Sequence, residues 1–353
     1  MPKIVRPGSA AGPRFSAANV GIATTLSQTP MLPDGWTMRH TIQAVDGAGD
    51  QTIWRCAFNP AGTLMCVAAA GGQLKLIDVA SRKHRRSLEG HDAALSSFTR
   101  STRGLICKLI DNPVSSCSFS PDGSTIVSGA HDTTVKLYEA ASGHIVRTLK
   151  GHTGRVSCCA FNPDGRSFCS GSWDESLKLW DAATGDCRHT LRGHKGDVYC
   201  CAYSADGAMV LSGSLDERLK LWSVATGKCF RTFSGHSGSV VACCFSPADG
   251  NTFLSGSVDN TLKLWDVAAG VCRFTLTGHT AMVHRCAFSP VHGNLVLSCS
   301  FDRTLKLWDA ATGECMATLV GHLSPVYCCT ISSDGATIAS GDLSGKLKLW
   351  KRA

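Results

Sequence analysis

The chain has 353 residues, 43% of them hydrophobic and 18% charged, with a formal net charge of +8. That composition is too apolar for an intrinsically disordered protein, and a chain of this length buries roughly three-quarters of its unfolded surface without disulfide staples. No run of 18 apolar residues is present, so a membrane-spanning helix is not expected, and the N-terminus lacks the apolar stretch of a secretory signal.

Residues 1–35 are rich in Ala, Ser, Gly and Pro, with no acid before Asp34, and read as a flexible tail. Pro2, Pro7, Gly8, Gly12 and Pro13 argue against an amphipathic organelle-transit helix there. Thr37-Met38-Arg39-His40-Thr41-Ile42 then reads as a short strand. From there the chain repeats itself. Gly-His pairs stand at Gly90-His91, Gly151-His152, Gly193-His194, Gly235-His236, Gly278-His279 and Gly321-His322, in steps of 61, 42, 42, 43 and 43. A tryptophan follows the later histidines by 28 or 29 residues, at Trp180, Trp222, Trp265, Trp308 and Trp350.

One unit shows the local structure. Val156 to Phe161 suits a strand buried on both faces, and Pro163-Asp164-Gly165 a turn. Ser167 to Ser172 is a second strand, Asp174-Glu175 a tight turn, and Leu177 to Trp180 a third strand. Thr184-Gly185 turns again, and Arg188 to Leu191 forms a polar, edge-like fourth strand. Four short antiparallel strands per 42 residues make one propeller blade. First strands starting near 53, 114, 156, 198, 240, 283 and 326 predict seven blades.

Over residues 36–353, the Gly-His and Trp-Asp spacing resembles the WD40-repeat family. The resemblance implies an all-β, seven-bladed propeller, closed by the N-terminal strand, which supplies the fourth strand that the last repeat lacks. It also implies that His, Ser, Asp and Trp of each repeat form a structural hydrogen-bonded tetrad. The sets are His152/Ser170/Asp174/Trp180, His194/Ser212/Asp216/Trp222, His236/Ser255/Asp259/Trp265 and His279/Ser298/Asp302/Trp308. A hydrolytic triad is not usually built four times around a ring, so no catalytic residue is expected. Three repeats depart from the pattern. The second blade has Tyr138-Glu139 for Trp-Asp, and the last has Ser344 where Asp is expected. The first has Gly49, Val67, Gly71 and Ile77 at the four places, and is expected to be the weakest part of the ring.

Of the 19 cysteines, seven share one repeat position: Cys56, Cys117, Cys159, Cys201, Cys243, Cys286 and Cys329. There is no C-x-x-C pair, and adjacent cysteines on a strand point to opposite faces, so neither a metal nor another cofactor is expected. Small buried thiols fit a reducing compartment, cytoplasm or nucleus. The long first step contains a 19-residue insertion, 95–113, which is a functional lobe, a solvated loop or a gene-model artefact.

The resemblance implies partner binding on the face bearing the inter-blade loops. Mapped onto this sequence, that face holds Trp54, His131, Arg155, Trp173, Asp197, Tyr199, Met282, His284, Phe301 and Tyr327. Aromatic and arginine side chains in a concave site are common anchors for a partner. The leading reading is a non-catalytic scaffold or adaptor, a monomeric ring within a multiprotein complex, binding a protein or peptide and no membrane. A substrate-recognition subunit of a ubiquitin ligase and a histone-tail reader remain open. So does RNA binding through the basic segment 82–108, since residues 53–113 carry nine Lys/Arg against four Asp/Glu.

Overall fold

A computed structural model describes residues 35–44, 51–91, 100–101, 104–105, 113–248 and 250–352. Seven four-stranded antiparallel sheets form the ring. The inner strands are Ile53–Phe58, Val114–Phe119, Val156–Phe161, Val198–Tyr203, Val240–Phe245, Val283–Phe288 and Val326–Ile331, the same seven segments that the repeat predicts. Trp36–Gln43 pairs antiparallel with Lys346–Arg352 and completes the seventh sheet. Segments that lie far apart in sequence thus complete one blade, so that Lys346–Arg352 is not left as the edge of its sheet.

The core is distributed between blades. Each of seven apolar clusters joins two neighbours. Val127, Val135 and Leu137 of the second blade meet Val156, Phe168 and Trp180 of the third, and Trp36 packs with Leu305 and Leu307 of the sixth beside Trp350. Close approach demands small residues on the second strands. A Cβ on Gly213 would lie 2.6 Å from Val240 of the next blade, and one on Gly171 would lie 2.8 Å from Val198. The Ser-Gly-Ser pattern is therefore a packing requirement.

Hydrogen-bonded chains tie each inter-blade loop to its blade. In the third blade the Trp180 indole donates to Ser170 Oγ (2.8 Å), that hydroxyl donates to His152 Nε2 (2.8 Å), and His152 Nδ1–H donates to Asp174 (2.8 Å). In the fourth, Trp222 donates to Ser212 (2.8 Å), Ser212 to His194 (2.8 Å) and His194 to Asp216 (2.9 Å). In the fifth, Ser255 links Trp265 (2.8 Å) to His236 (2.7 Å), which donates to Asp259 (2.7 Å). In the sixth, Ser298 links Trp308 (2.8 Å) to His279 (2.8 Å), which donates to Asp302 (2.7 Å).

The four bridging serines cannot serve as site residues in the sense of touching a ligand. Ser170, Ser212, Ser255 and Ser298 are each 0% exposed, so neither a substrate nor a partner reaches them. Each hydroxyl already accepts from an indole and donates to an imidazole, which uses its only proton. Each set is a packing element, sealed by burial and saturated by its own blade. In the second blade His91 joins Ser128 (2.6 Å) and Asp132 (2.8 Å), with Tyr138 buried in the tryptophan's place.

The last blade corrects the expectation at Ser344. Its tetrad is complete: Trp350 donates to Ser340, Ser340 to His322, and His322 to Asp342 at 2.7 Å. Asp342 sits two residues earlier than its counterparts, and its carboxylate also accepts from the Ser344 backbone and hydroxyl and from the Lys346 N–H. The histidine needs a carboxylate within reach rather than one at a fixed count. Asp342→Ala should destabilise the ring by about 2–4 kcal/mol, because it orphans several buried donors, and Ser344→Ala by under about 1 kcal/mol. Urea unfolding of the two variants checks this, and equal losses would refute the assignment.

Candidate functional site

Every inner strand carries a bulge at its second residue, between Ile53 and Arg55 in the first blade and at the equivalent place in the other six. A bulge leaves one residue outside the ladder and re-aims its side chain. Those seven residues are Trp54, Ser115, Ser157, Tyr199, Val241, His284 and Tyr327. The two serines fold back onto the sheet: the single hydroxyl proton of Ser115 is shared between the Gly129 carbonyl (3.1 Å) and that of Val156 in the next blade, and that of Ser157 between the Gly171 carbonyl (3.1 Å) and that of Val198.

The aromatic members instead join His131, Trp173 and Phe301 in a continuous belt. Phe301 lies 5.6 Å from His284 (ring centroids), His284 4.6 Å from Tyr327, Tyr327 5.3 Å from Trp54 and Trp54 5.6 Å from His131. His131 then meets Trp173 at 5.6 Å, and Trp173 meets Tyr199 at 6.1 Å. The Arg155 guanidinium sits 4.8 Å over the Trp173 ring, a cation–π contact. Seven rings are thereby joined, mostly edge to face or tilted, the arrangement aromatic quadrupoles prefer.

The belt encloses a cavity of about 200 Å³. Of the ten residues mapped to this face, Trp54, His131, Trp173, Tyr199, Met282 and His284 line it. Phe301 and Tyr327 support His284 from behind, Arg155 caps Trp173, and Asp197 stands outside the lining. Missing from the sequence-based set is Arg285, which lines the cavity floor and also a deeper one in the central channel.

The site histidines are neutral near pH 7. Burial, then the charges of Arg285 and Arg55, push His284 down to about 3 against the opposing hydrogen bond to Tyr327. Burial and Arg155 push His131 down to about 4. His284 Nδ1 lies 2.6 Å from the Tyr327 carbonyl, which can only accept, so Nδ1 carries the proton and Nε2 is left as an acceptor. Asp197 moves the other way: burial and Glu175 raise its carboxyl.

Other expectations fall elsewhere. Eighteen cysteines among the described residues are free thiols, and no cluster among those residues has the composition of a metal site. No described helix is long and apolar enough to cross a membrane. Most of the 95–113 insertion, and with it much of the basic segment 82–108, lies outside the described residues; Arg100–Ser101 and Gly104–Leu105 pair as a two-strand ladder. In the basic outer strand His84–Leu88, Arg86 is already engaged with the Ala141 carbonyl (3.0 Å), while the preceding Arg82 contacts His40 (2.8 Å).

Comparison with protein families accords with this geometry. A family model described as WD domain, G-beta repeat, matches residues 103–139, 143–181, 185–223, 227–266, 270–309 and 313–351. The segment 143–181 takes the outer strand Ile145–Leu149 of one blade together with the three inner strands of the next, so the sequence repeat is offset from the structural blade and each repeat staples two neighbours. With these matches covering more than half of its length, the chain belongs to the WD40-repeat family.

Proposed function

We propose that the protein is a non-catalytic scaffold or adaptor that captures a peptide or protein segment at the aromatic mouth of the propeller, within a larger assembly. The supporting observation is the seven-ring belt around the cavity. The tetrads account for the neighbouring Ser, His and Asp as structure, whereas five of the belt rings line an open cavity and four are re-aimed by bulges, which are features that recur at binding sites. Trp54 adds a buried indole N–H with no acceptor among the described residues, a donor a bound segment can satisfy.

Affinity capture with the full chain, read by mass spectrometry, tests the reading. The Trp173→Ala/Tyr199→Ala double variant should lose the partners held by the wild type. Its melting temperature should fall by no more than about 5 °C, since each lost ring pair is worth about 0.5–1.5 kcal/mol. Identical partner lists would remove the mouth as the binding site.

A further inference from the structure

We propose that the central channel beneath the mouth is a binding site for a phosphate-class oxyanion, held between Arg55 and Arg285. This goes beyond the peptide-binding reading and stands without it.

The third residue of the seven inner strands forms one level of the ring: Arg55, Ser116, Cys158, Cys200, Ala242, Arg285 and Cys328. Five are small and two are arginine. In the five blades with small residues, the partner on the second strand is glycine: Gly129, Gly171, Gly213, Gly256 and Gly341. A Cβ on Gly171 would lie 2.6 Å from Cys158 Sγ, so the small side chain rests over its glycine. Opposite the two arginines stand Ala68 and Cys299. There the space over the second strand is filled by a Cβ, and the longer arginine stem extends into the channel.

The channel cavity, about 280 Å³, is lined by both arginines and by neutral groups. Among the described residues, no Asp or Glu lines it or the mouth above. The thiols supply no counter-charge: hydrogen bonding to Cys328 and burial push Cys56 well up, and burial pushes Cys159 up to about 12. Arg285 is 6% exposed, and the only hydrogen bond of its side chain among the described residues runs from Nη1 to the Val241 carbonyl (3.1 Å), leaving buried Nε without a partner. Among the described residues the side chain of half-buried Arg55 makes no ion pair or hydrogen bond, and its positive charge repels that of Arg285.

Two uncompensated guanidiniums in one confined space are costly unless an anion joins them. Their fork geometry matches oxyanions, and a dianion cancels both charges where a monocarboxylate cancels one. The same chemistry can arrive as a free inorganic ion or on a phosphorylated side chain lowered through the mouth.

Isothermal titration of the full chain separates these sources. Pyrophosphate and capped phosphoserine (acetylated and amidated) are the two probes, and acetate is the monoanion control at matched ionic strength. Wild type should bind one equivalent of at least one phosphate probe, at least tenfold more tightly than acetate. Tighter pyrophosphate binding assigns the free ion, and tighter phosphoserine binding the side chain. Arg55→Gln/Arg285→Gln should abolish the heat and raise the ligand-free melting temperature, whereas Lys83→Gln/Arg85→Gln on the outer edge of the first blade should leave binding unchanged. Should the double glutamine variant fail to fold, Arg285→Lys should weaken binding at least fivefold. Absent binding, binding that survives loss of the channel arginines, or binding lost with the outer-edge pair would each overturn the proposal.

Discussion

Deletion of residues 36–43 should abolish the cooperative thermal transition of the ring or drive the chain into aggregates. Trp36 is 3% exposed, in the cluster shared with Leu305, Leu307 and Trp350. Burying an aromatic of this size removes about 150–250 Å² from water, worth about 4–6 kcal/mol. The ladder from Trp36↔Arg352 to Gln43↔Lys346 adds backbone bonds at about 0.5–1.5 kcal/mol each. Together these approach the entire stability of a typical domain, about 5–15 kcal/mol. The deletion also uncovers Lys346–Arg352 as an edge strand bearing Leu347, Leu349 and Trp350. Trp36→Ala, which keeps the strand, should cost about 3–5 kcal/mol. Calorimetry with size-exclusion chromatography decides, and a deleted chain that stays monomeric and melts within a few degrees of wild type would refute closure.

Acidification should weaken the fold in two stages. His131 and His284 titrate near 6.5 when unfolded, but at about 4 and about 3 in the fold. Between those values the unfolded chain binds protons that the native one does not. Stability is therefore complete above pH 6.5 and is lost as pH falls toward 4 and 3, with a slope of at most about 2.7 kcal/mol per pH unit for the pair. His322, lowered by burial against the pull of Asp342, adds in the same direction. The second stage belongs to the tetrads. Burial alone would raise Asp216, but His194 and the Lys195 and Arg218 amides hold it at about 2, and Asp174, Asp259 and Asp302 are likewise depressed despite burial. Groups of that kind contribute above pH 4 and lose their contribution as pH falls through the folded value. Urea unfolding at stepped pH should show a decline from 6.5 downward that His131→Phe partly flattens. A free energy unchanged between pH 7 and 4.5 would contradict the burial of these imidazoles.

The blades were legible because strand period and Gly-His spacing are local properties. Val156–Phe161 and its six counterparts can be read without knowing their neighbours. The closing strand was legible for another reason: the last repeat lacks one strand, and Thr37–Ile42 has the missing pattern. Asp342 was misread because a template counts positions, whereas the His322 imidazole accepts whichever carboxylate reaches it. The bulges that turn Trp54, Tyr199 and His284 into the mouth depend on cross-strand register, which one strand alone does not encode. Arg55 and Arg285 were visible but dissolved in a charge count. Their signal was position, as the only large residues at a level otherwise built of Ser, Ala and Cys.

The closing strand also sets the order of events on the ribosome. Trp36–Gln43 is made first, but its partner, Lys346–Arg352, is made about three hundred residues later. At about 5–20 residues per second, that interval is roughly 15–60 s. The six blades between can assemble as they emerge, while the earliest strand waits with its tryptophan in water and blade one lacks its final neighbour. The nascent chain is thus an open arc until Lys346–Arg352 has emerged, and the pairing of that strand with Trp36–Gln43, rather than any step within a blade, is the moment at which the molecule becomes a ring.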